Sequence, residues 1–200
     1  MKDFRNKDCQ EDKARSAAKP ETDEQSKTEK LVERAADGDF EAFGKLYSLH
    51  ITQIYRYIFY QVKDKTTAED ITEEVFLKAW RAIGSCRGKG KTFSSWLYRI
   101  ARNQVIDEFR SRRKYPSIEI ETIEGISDTE REPEGELERQ ELLAVIACLP
   151  QNQRQVIILK FIEGLDNPEI ARIIGKSQGA VRVLQMRALA KLKKVMGSGK

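Results

Sequence analysis

The stretch "NPEIARIIGKSQGAVRVLQMRALAKLKKV", residues 167–195, decides the fold of the C-terminal part of the chain. Asn167 is a favoured N-cap residue, and Pro168 follows it at the first helical position. Gly175 ends a short helix, and Ser177 is placed to cap the next one. Two helices joined by a tight turn that contains glycine predict a helix-turn-helix.

The second helix of this stretch has two contrasting sides. Its apolar side recurs in steps of three or four residues, at Val181, Leu184, Ala188, Leu192 and Val195. The opposite side carries Gln178, Arg182, Gln185 and Met186, with Arg187 at the flank. Glutamine and arginine read base edges in the major groove. No acidic residue follows Glu169, which favours DNA over the alternative, a helical hairpin whose polar side meets only water.

A second stretch, "FSSWLYRIARNQVIDEFRSRRK" at residues 93–114, mixes aromatic rings with cations. Six polar side chains fall within about 60° of one line on a helical wheel: Arg99, Arg102, Asn103, Arg110, Arg113 and Lys114. The preceding loop, "GSCRGKGKTF", adds three glycines and three cations. Cations neutralise phosphates, and a flexible backbone beside rings suits an unstacked base. For Phe93 and Trp96, packing in the core stays open as the alternative.

The helix predicted over "TTAEDITEEVFLKAWRAIG" has a wide apolar surface. Thr66 and Thr67 open it with helix start signals, because an acidic residue follows each of them three positions later. Its apolar surface, which includes Phe76 and Trp80, is wider than one buried seam requires. The row that contains Trp80 is therefore either ordinary core or a protein-binding face.

Charge divides the chain into segments. The net charge is +4, yet residues 116–141 hold ten acidic and two basic residues, and residues 1–30 are balanced. The remaining residues therefore carry the excess of positive charge. Two basic blocks joined by an acidic tether suggest two modules that meet a polyanion.

Several classes of protein are excluded by what the sequence lacks. No apolar run approaches the roughly 20 residues that a membrane-spanning helix needs, and the N-terminus has no apolar signal region. Cys9, Cys86 and Cys148, with the single His50, form neither a zinc spacing nor a disulfide framework. With no nucleophile–base pair, carboxylate pair or metal cluster in view, we expect a cytoplasmic chain that is not an enzyme, needs no cofactor and inserts in no membrane.

The apolar spacing is helical throughout, so the predicted fold class is all-α, with two small helical domains joined by a flexible acidic linker. The expected organisation is a disordered extension at 1–29, an N-terminal block at 30–114, the linker at 115–137, and a C-terminal block at 138–196 that holds the helix-turn-helix.

These motifs together resemble a known family. "AFGKLYSLHITQIYRYIFYQVKDKTTAEDITEEVFLKAWRAI", followed by residues 93–114, is similar to region 2 of bacterial sigma factors of the extracytoplasmic-function (ECF) group. "VIACLPQNQRQVIILKFIEGLDNPEIARIIGKSQGAVRVLQMRALAKL" is similar to their region 4. The signatures "AEDITEEVFLKAW" and "WLYRIARN" are specific together, far more than a helix-turn-helix alone.

The resemblance implies a role for each set of residues. Core RNA polymerase would be bound by Asp70, Glu74, Phe76, Leu77 and Trp80. The −10 promoter element, with one base flipped into a pocket, would be bound by Arg87, Lys89, Phe93, Arg99 and Asn103, and its phosphates by Arg110, Arg112 and Arg113. The −35 element would be read as duplex by Ser177, Gln178, Arg182, Val183, Gln185, Met186 and Arg187.

The implied partners are core RNA polymerase, promoter DNA and an anti-sigma protein that covers the same surfaces. Two competing hypotheses stay open: an ordinary DNA-binding regulator whose residues 30–114 form a ligand or dimer domain, and an adaptor that binds only proteins. Residues 1–29 exceed the usual lead-in of the group, and Val183 and Gln185 depart from its more polar recognition helices. The preferred −35 sequence therefore does not carry over.

Overall fold

A computed structural model of the chain describes residues 22–87, 92–114 and 143–197. Within these ranges the regular structure is helical and contains no strand, which confirms the all-α prediction. The N-terminal block contains α1 (Thr22–Ala36), α2 (Phe40–Val62), α3 (Lys65–Ala82) and α4 (Phe93–Lys114). The C-terminal block contains α5 (143–147), α6 (Gln151–Ile157), α7 (Asn167–Ile174) and α8 (Gln178–Gly197).

Helix α1 begins at Thr22, inside the segment predicted to be disordered, so that prediction is wrong for residues 22–29. The first turns of α1 are polar, and the apolar residues that anchor the helix lie near its C-terminal end. Val32 and Ala35 are buried, and α1 packs against α2. The predicted acidic linker and Lys89 lie outside the described residues.

An aspartate before the first turn starts each of the long helices α2 and α3. Asp39 caps α2, and the Asp64 carboxylate accepts a hydrogen bond from the Thr67 N–H at 2.6 Å. Helix α3 therefore begins at Lys65, and the predicted start signals at Thr66 and Thr67 are wrong. A carboxylate at an N-cap both satisfies a free N–H and favours the positive end of the helix dipole.

The helix-turn-helix forms as predicted, with one change of cap. Gly175 ends α7 in the left-handed conformation, at φ 67°, and the Ser177 hydroxyl caps α8. The N-cap of α7 is Asp166 rather than the predicted Asn167. Its carboxylate accepts from the Glu169 N–H at 2.7 Å, and its own N–H donates to the Glu169 carboxylate at 2.9 Å. This reciprocal pair is a capping box, which satisfies two free N–H groups at once.

The two blocks pack against each other, with α4 on α7 and α2 on α6. One connected cluster of buried apolar residues includes Tyr57 and Leu97 of the N-terminal block and Val156 and Ile170 of the C-terminal block. Removal of apolar surface from water therefore holds the blocks together. The sequence predicted two modules on a tether, and the contact between them was not part of that prediction.

Candidate nucleic-acid and polymerase interfaces

Five aromatic rings of α2 and α3 lie in two clusters, here together named the aromatic face. The Trp80 ring lies 4.3 Å from the Phe40 ring and 4.9 Å from the Phe43 ring, centroid to centroid. The Tyr47 and Phe76 rings meet edge to face at 4.7 Å. Such pairs each contribute about 0.5–1.5 kcal/mol beyond their buried area. The rings of the aromatic face therefore stabilise one another within each cluster.

The residues of α3 predicted to bind polymerase differ in exposure. Asp70 and Leu77 are exposed, whereas Trp80 and Glu74 are half-buried. Phe76 is buried, so the structure corrects its role: it supports the aromatic face from beneath and lies out of reach of a partner. The remaining four side chains surround a surface that a partner could cover.

Two exposed rings of the aromatic face, Phe40 and Tyr47, are absent from the predicted contacts. Phe40 is 73% exposed, the largest exposed fraction among the large apolar residues described. A signal for them exists in the sequence, since Phe40, Phe43 and Tyr47 follow each other at spacings of three and four residues. Helix α2 thus contributes three of the five rings of this face, and α3 contributes two.

Arg99 and Asn103 are exposed on α4, one helical turn apart. Trp96 is half-buried one turn before them, with its ring 5.7 Å from that of Phe93. Trp96 therefore packs on the core and keeps part of its ring at the surface. A cation, an amide with both donor and acceptor, and a ring edge lie along one side of the helix.

Phe93 belongs to the core. Its side chain is 1% exposed and lies 5.4 Å from the ring of His50. Burial lowers the pKa of His50, so a neutral imidazole faces the Phe93 ring at neutral pH. The prediction that Phe93 contacts the −10 element is therefore wrong for the described conformation, because almost none of this side chain is exposed.

Arg87 and Arg112 already hold partners within the chain. Arg87 donates to the Asp37 carboxylate at 2.6 Å, at the end of α1. Arg112 donates to Glu108 at 2.6 Å and to the Thr67 hydroxyl at 2.8 Å. Exposed ion pairs of this kind contribute only about 0–1 kcal/mol, so a phosphate can replace the carboxylate at little cost.

The other predicted phosphate contacts lie further along α4 or outside the described residues. Arg110 is exposed and pairs with Asp107 at 3.2 Å. Arg102 is half-buried, and its Nε donates to the side-chain amide oxygen of Gln155 at 3.2 Å. The side chain of Arg113 lies outside the described part of the chain, as does all of Lys89.

The first half of α8 presents most of its predicted reading residues to solvent. The exposed ones are Ser177, Gln178, Arg182, Val183, Met186 and Arg187. Gln185 is half-buried, and its amide donates to the Asn167 side-chain oxygen at 2.9 Å. Val181 and Ala188 are buried and fix the rotation of the helix. A helix exposed in this way fits the major groove of B-DNA, about 12 Å wide.

A cleft of about 940 Å³ lies between the two blocks. Trp96 and Arg99 line one side, and Arg172, Lys176 and Gln178 line the other. The lining residues that the structure describes include three cations and no acid, so the cleft has a positive potential that attracts anions.

The described ranges contain no group of three or more histidine, cysteine or acidic side chains that could hold a metal ion. None of their helices is both long and apolar enough to cross a membrane. The surfaces found on this part of the chain suit binding: rings for a protein, and cations and amides for DNA.

Family comparisons match both blocks. The family description "Sigma-70 region 2" matches residues 46–115, and "Sigma-70, region 4" matches residues 139–192. The first range contains most of α2 and all of α3 and α4, and the second contains the helix-turn-helix. Each family match therefore coincides with one helical block.

Similar proteins point the same way. The chain is 40% identical over 170 residues to the ECF RNA polymerase sigma factor BldN of Streptomyces coelicolor, a match that covers 83% of this chain and 64% of BldN. It is 31% identical over 164 residues to the ECF RNA polymerase sigma factor SigX of Bacillus subtilis, covering 78% of this chain and 84% of SigX. The chain thus spans less than two thirds of BldN but most of SigX.

One solved structure is similar over nearly the whole chain. It is that of CnrH in complex with the cytosolic domain of CnrY, with a TM-score of 0.69 and 26% identity, covering 87% of this chain and 99% of CnrH. Two family matches, a relative of similar length and a shared architecture agree with the resemblance in the motifs. The chain belongs to the ECF group of the sigma-70 family and is a factor, not an enzyme, that directs RNA polymerase to promoters.

Proposed function

We propose that this sigma factor holds one separated strand of the −10 element on α4 and reads the −35 element as duplex with α8. The observation that carries the proposal is the exposed pair Arg99 and Asn103 beside the half-buried Trp96. Unstacking a base step costs a few kcal/mol. Capture of an extruded base by a ring edge and an amide offsets part of that cost, while the arginine neutralises a phosphate.

The phosphates of the same element would be bound by Arg110, Arg112 and Arg113, with Arg87 and Lys89 contributing from the loop before α4. Support comes from the exposure of Arg110 and from the weak, exposed ion pairs that hold Arg87 and Arg112. Phe93 takes no part in this contact, because it lies in the core.

The aromatic face is the proposed docking surface for core RNA polymerase. Phe40, Leu77 and Trp80 supply its apolar centre, with Asp70 and Glu74 at the rim. An apolar centre with a polar rim is typical of protein interfaces. Exposed aromatic rings that are grouped on one surface mark a candidate site for binding another protein.

The −35 element would be read by the exposed side chains at the start of α8, with Gln178 and Arg182 on base edges. Each of the two DNA surfaces is small and binds weakly alone. When polymerase fixes the distance between them, the second contact becomes intramolecular and gains effective concentration. This explains why polymerase is needed for promoter recognition.

An anti-sigma protein and a cytoplasmic location complete the proposal. Support for the first comes from CnrH, which was solved with the cytosolic domain of a second protein, CnrY. A protein that covers the aromatic face or α4 would block polymerase or DNA. Because polymerase and promoter DNA are cytoplasmic in bacteria, the chain is expected to act there.

Reconstitution with core RNA polymerase on genomic fragments tests the proposal, with transcription start sites mapped by sequencing. The chain should start transcription at a defined set of promoters that core polymerase alone ignores. If it only represses, or binds duplex DNA tightly with no response to polymerase, the ordinary regulator is the better account.

A further inference from the structure

The middle of α8 presents apolar side chains at the place where the proposed function puts base edges. Val183 is 42% exposed and Met186 is 64% exposed. The buried residues Val181 and Ala188 each lie two positions from one of them, which is a rotation of about 200° around the helix. Val183 and Met186 therefore point away from the core of the C-terminal block, on the same exposed side as Arg182.

The one polar side chain between them is already engaged within the chain. Gln185 is half-buried, and its amide nitrogen donates to the side-chain oxygen of Asn167 at 2.9 Å. This hydrogen bond directs the amide of Gln185 toward α7 rather than toward DNA. A base edge opposite the middle of α8 therefore meets the apolar surface of Val183 and Met186.

Apolar side chains recognise a different feature of DNA from arginine or glutamine. Valine has no hydrogen-bonding group, and methionine has only a weakly accepting sulfur. In the major groove the bases present donors, acceptors and, on thymine alone, a C5 methyl group. A donor or acceptor covered by an apolar side chain loses its water without gaining a partner, whereas a covered methyl group gains from leaving water. Val183 and Met186 therefore favour thymine at the positions that they cover.

The spacing of the two side chains indicates how many base pairs they cover. Residues three apart on a helix have their Cβ atoms about 5–6 Å from each other and are offset by about 4.5 Å along the axis. Stacked base pairs are separated by about 3.4 Å. Val183 and Met186 therefore form one apolar patch that reaches methyl groups on neighbouring base pairs.

We propose that Val183 and Met186 recognise thymine C5 methyl groups on neighbouring base pairs of the −35 element, and that these contacts set the sequence preference there. The inference rests on the proposed function, because α8 must lie in the major groove for the contacts to form. One methyl contact should change affinity about fourfold, which corresponds to about 0.8 kcal/mol for one buried carbon group at 1.4 kcal/mol per factor of ten.

Replacement of thymine by deoxyuridine tests the proposal, because deoxyuridine lacks only the C5 methyl group. The full-length chain is assembled with core polymerase, and each thymine of a −35 element found by promoter mapping is replaced in turn. Closed-complex affinity of the wild type should fall about fourfold at the contacted positions. Val183→Ser and Met186→Gln should each lose this response at the thymine that the removed side chain contacts, since the two changes are then coupled.

The matched control is Met196→Gln, which makes the same chemical change at a methionine that is 70% exposed, about 15 Å further along α8. It should keep the full response to deoxyuridine. Binding of Val183→Ser and Met186→Gln to core polymerase without DNA should equal that of the wild type. A loss of polymerase binding would make Val183 and Met186 a protein contact and overturn the proposal.

A second base analogue separates thymine from the other base that carries this methyl group. Cytosines of the element are replaced by 5-methylcytosine, and tighter binding to them with no response to deoxyuridine would overturn the thymine assignment. A mapped −35 element without adjacent A·T pairs would contradict the proposal before any replacement.

Arg182→Ala distinguishes failure of this inference from failure of the proposed function. If the wild type ignores deoxyuridine while Arg182→Ala still weakens binding to the −35 element, methyl recognition is wrong and the −35 assignment stands. If Arg182→Ala has no effect either, the proposed function fails for α8 and the inference fails with it.

Discussion

Phe93 and Asn103 lie on the same helix, and only one of them is available to DNA. The helical wheel of α4 predicts the exposed side correctly, because Arg99 and Asn103 follow from the 3.6-residue period alone. It does not decide the place of Phe93, since a ring beside cations suits either a base or a core. That outcome depends on His50, a residue of α2 that packs on the ring.

Replacement of Phe93 by alanine should destabilise the fold. Loss of a buried phenylalanine ring costs about 3–5 kcal/mol, from lost burial and the cavity that remains. Denaturant unfolding of Phe93→Ala and Arg99→Ala measures the difference. Arg99→Ala should unfold like the wild type and lose −10 binding instead. Equal stability of the Phe93 variant and the wild type would mean that Phe93 lies at the surface rather than in the core.

Asn103→Ala should impair opening of the −10 element more than binding of closed duplex. A good contact between an amide and a base edge is worth about 1–3 kcal/mol, and every 1.4 kcal/mol is a factor of ten. Permanganate reactivity of unpaired thymines reports opening, and a filter-binding assay reports the closed complex. The control is Gln104→Ala, whose amide oxygen instead accepts from Lys78 at 2.6 Å. If both steps weaken equally in Asn103→Ala, its role is structural.

At the scale of elements, the sequence shows where helices begin and end, but not which residue caps each of them. Gly175 and Ser177 end and begin helices as predicted. Asp166 and Asn167 are adjacent and both suit an N-cap, so sequence alone does not choose between them. The reach of Glu169 decides in favour of Asp166, because only that position completes the capping box. The same ambiguity applies to Asp64, because the threonines that follow it also suit the start of a helix.

Asp166→Ala should therefore destabilise the C-terminal block by about 0.5–2 kcal/mol, since it leaves the Glu169 N–H without its side-chain acceptor. Asn167→Ala keeps the capping box and should cost less. Thermal unfolding of both variants, followed by circular dichroism, makes the comparison. A larger loss in Asn167→Ala would mean that the cap was assigned to the wrong residue.

The aromatic face gives a prediction for α2. Phe40→Ala should lower the free energy of unfolding by no more than about 0.5–1.5 kcal/mol, because Phe40 is 73% exposed and loses mainly its contact with the Trp80 ring. It should weaken binding to core polymerase by about tenfold or more, as central aromatic residues of interfaces do. Leu49→Ala is the control, since this leucine is 58% exposed and lies on the opposite side of the same helix. Binding of labelled chain to core polymerase gives both values. Equal loss in the two variants would place the docking surface elsewhere.

At the scale of the molecule, charge and periodicity predict the two blocks but not how they meet. The excess of positive charge in each block and the helical spacing are local properties of sequence. The Arg56–Glu163 pair joins residues separated by 107 positions, and nothing in either neighbourhood marks them as partners. The buried apolar residues of the contact, such as Leu97 and Ile170, look like ordinary core residues from sequence alone. The contact between the blocks therefore emerges only from the folded chain.

The central claim is that α4 binds a separated strand of the −10 element, while α8 binds the −35 element as duplex DNA. Photo-crosslinking from Asn103 and Arg182, each replaced by a photoreactive residue, tests it most directly in an open promoter complex. Asn103 should crosslink to a single-stranded base of the −10 element on the non-template strand, and Arg182 to the −35 duplex. Crosslinks from both positions to duplex DNA, or none to DNA from Asn103, would contradict the account.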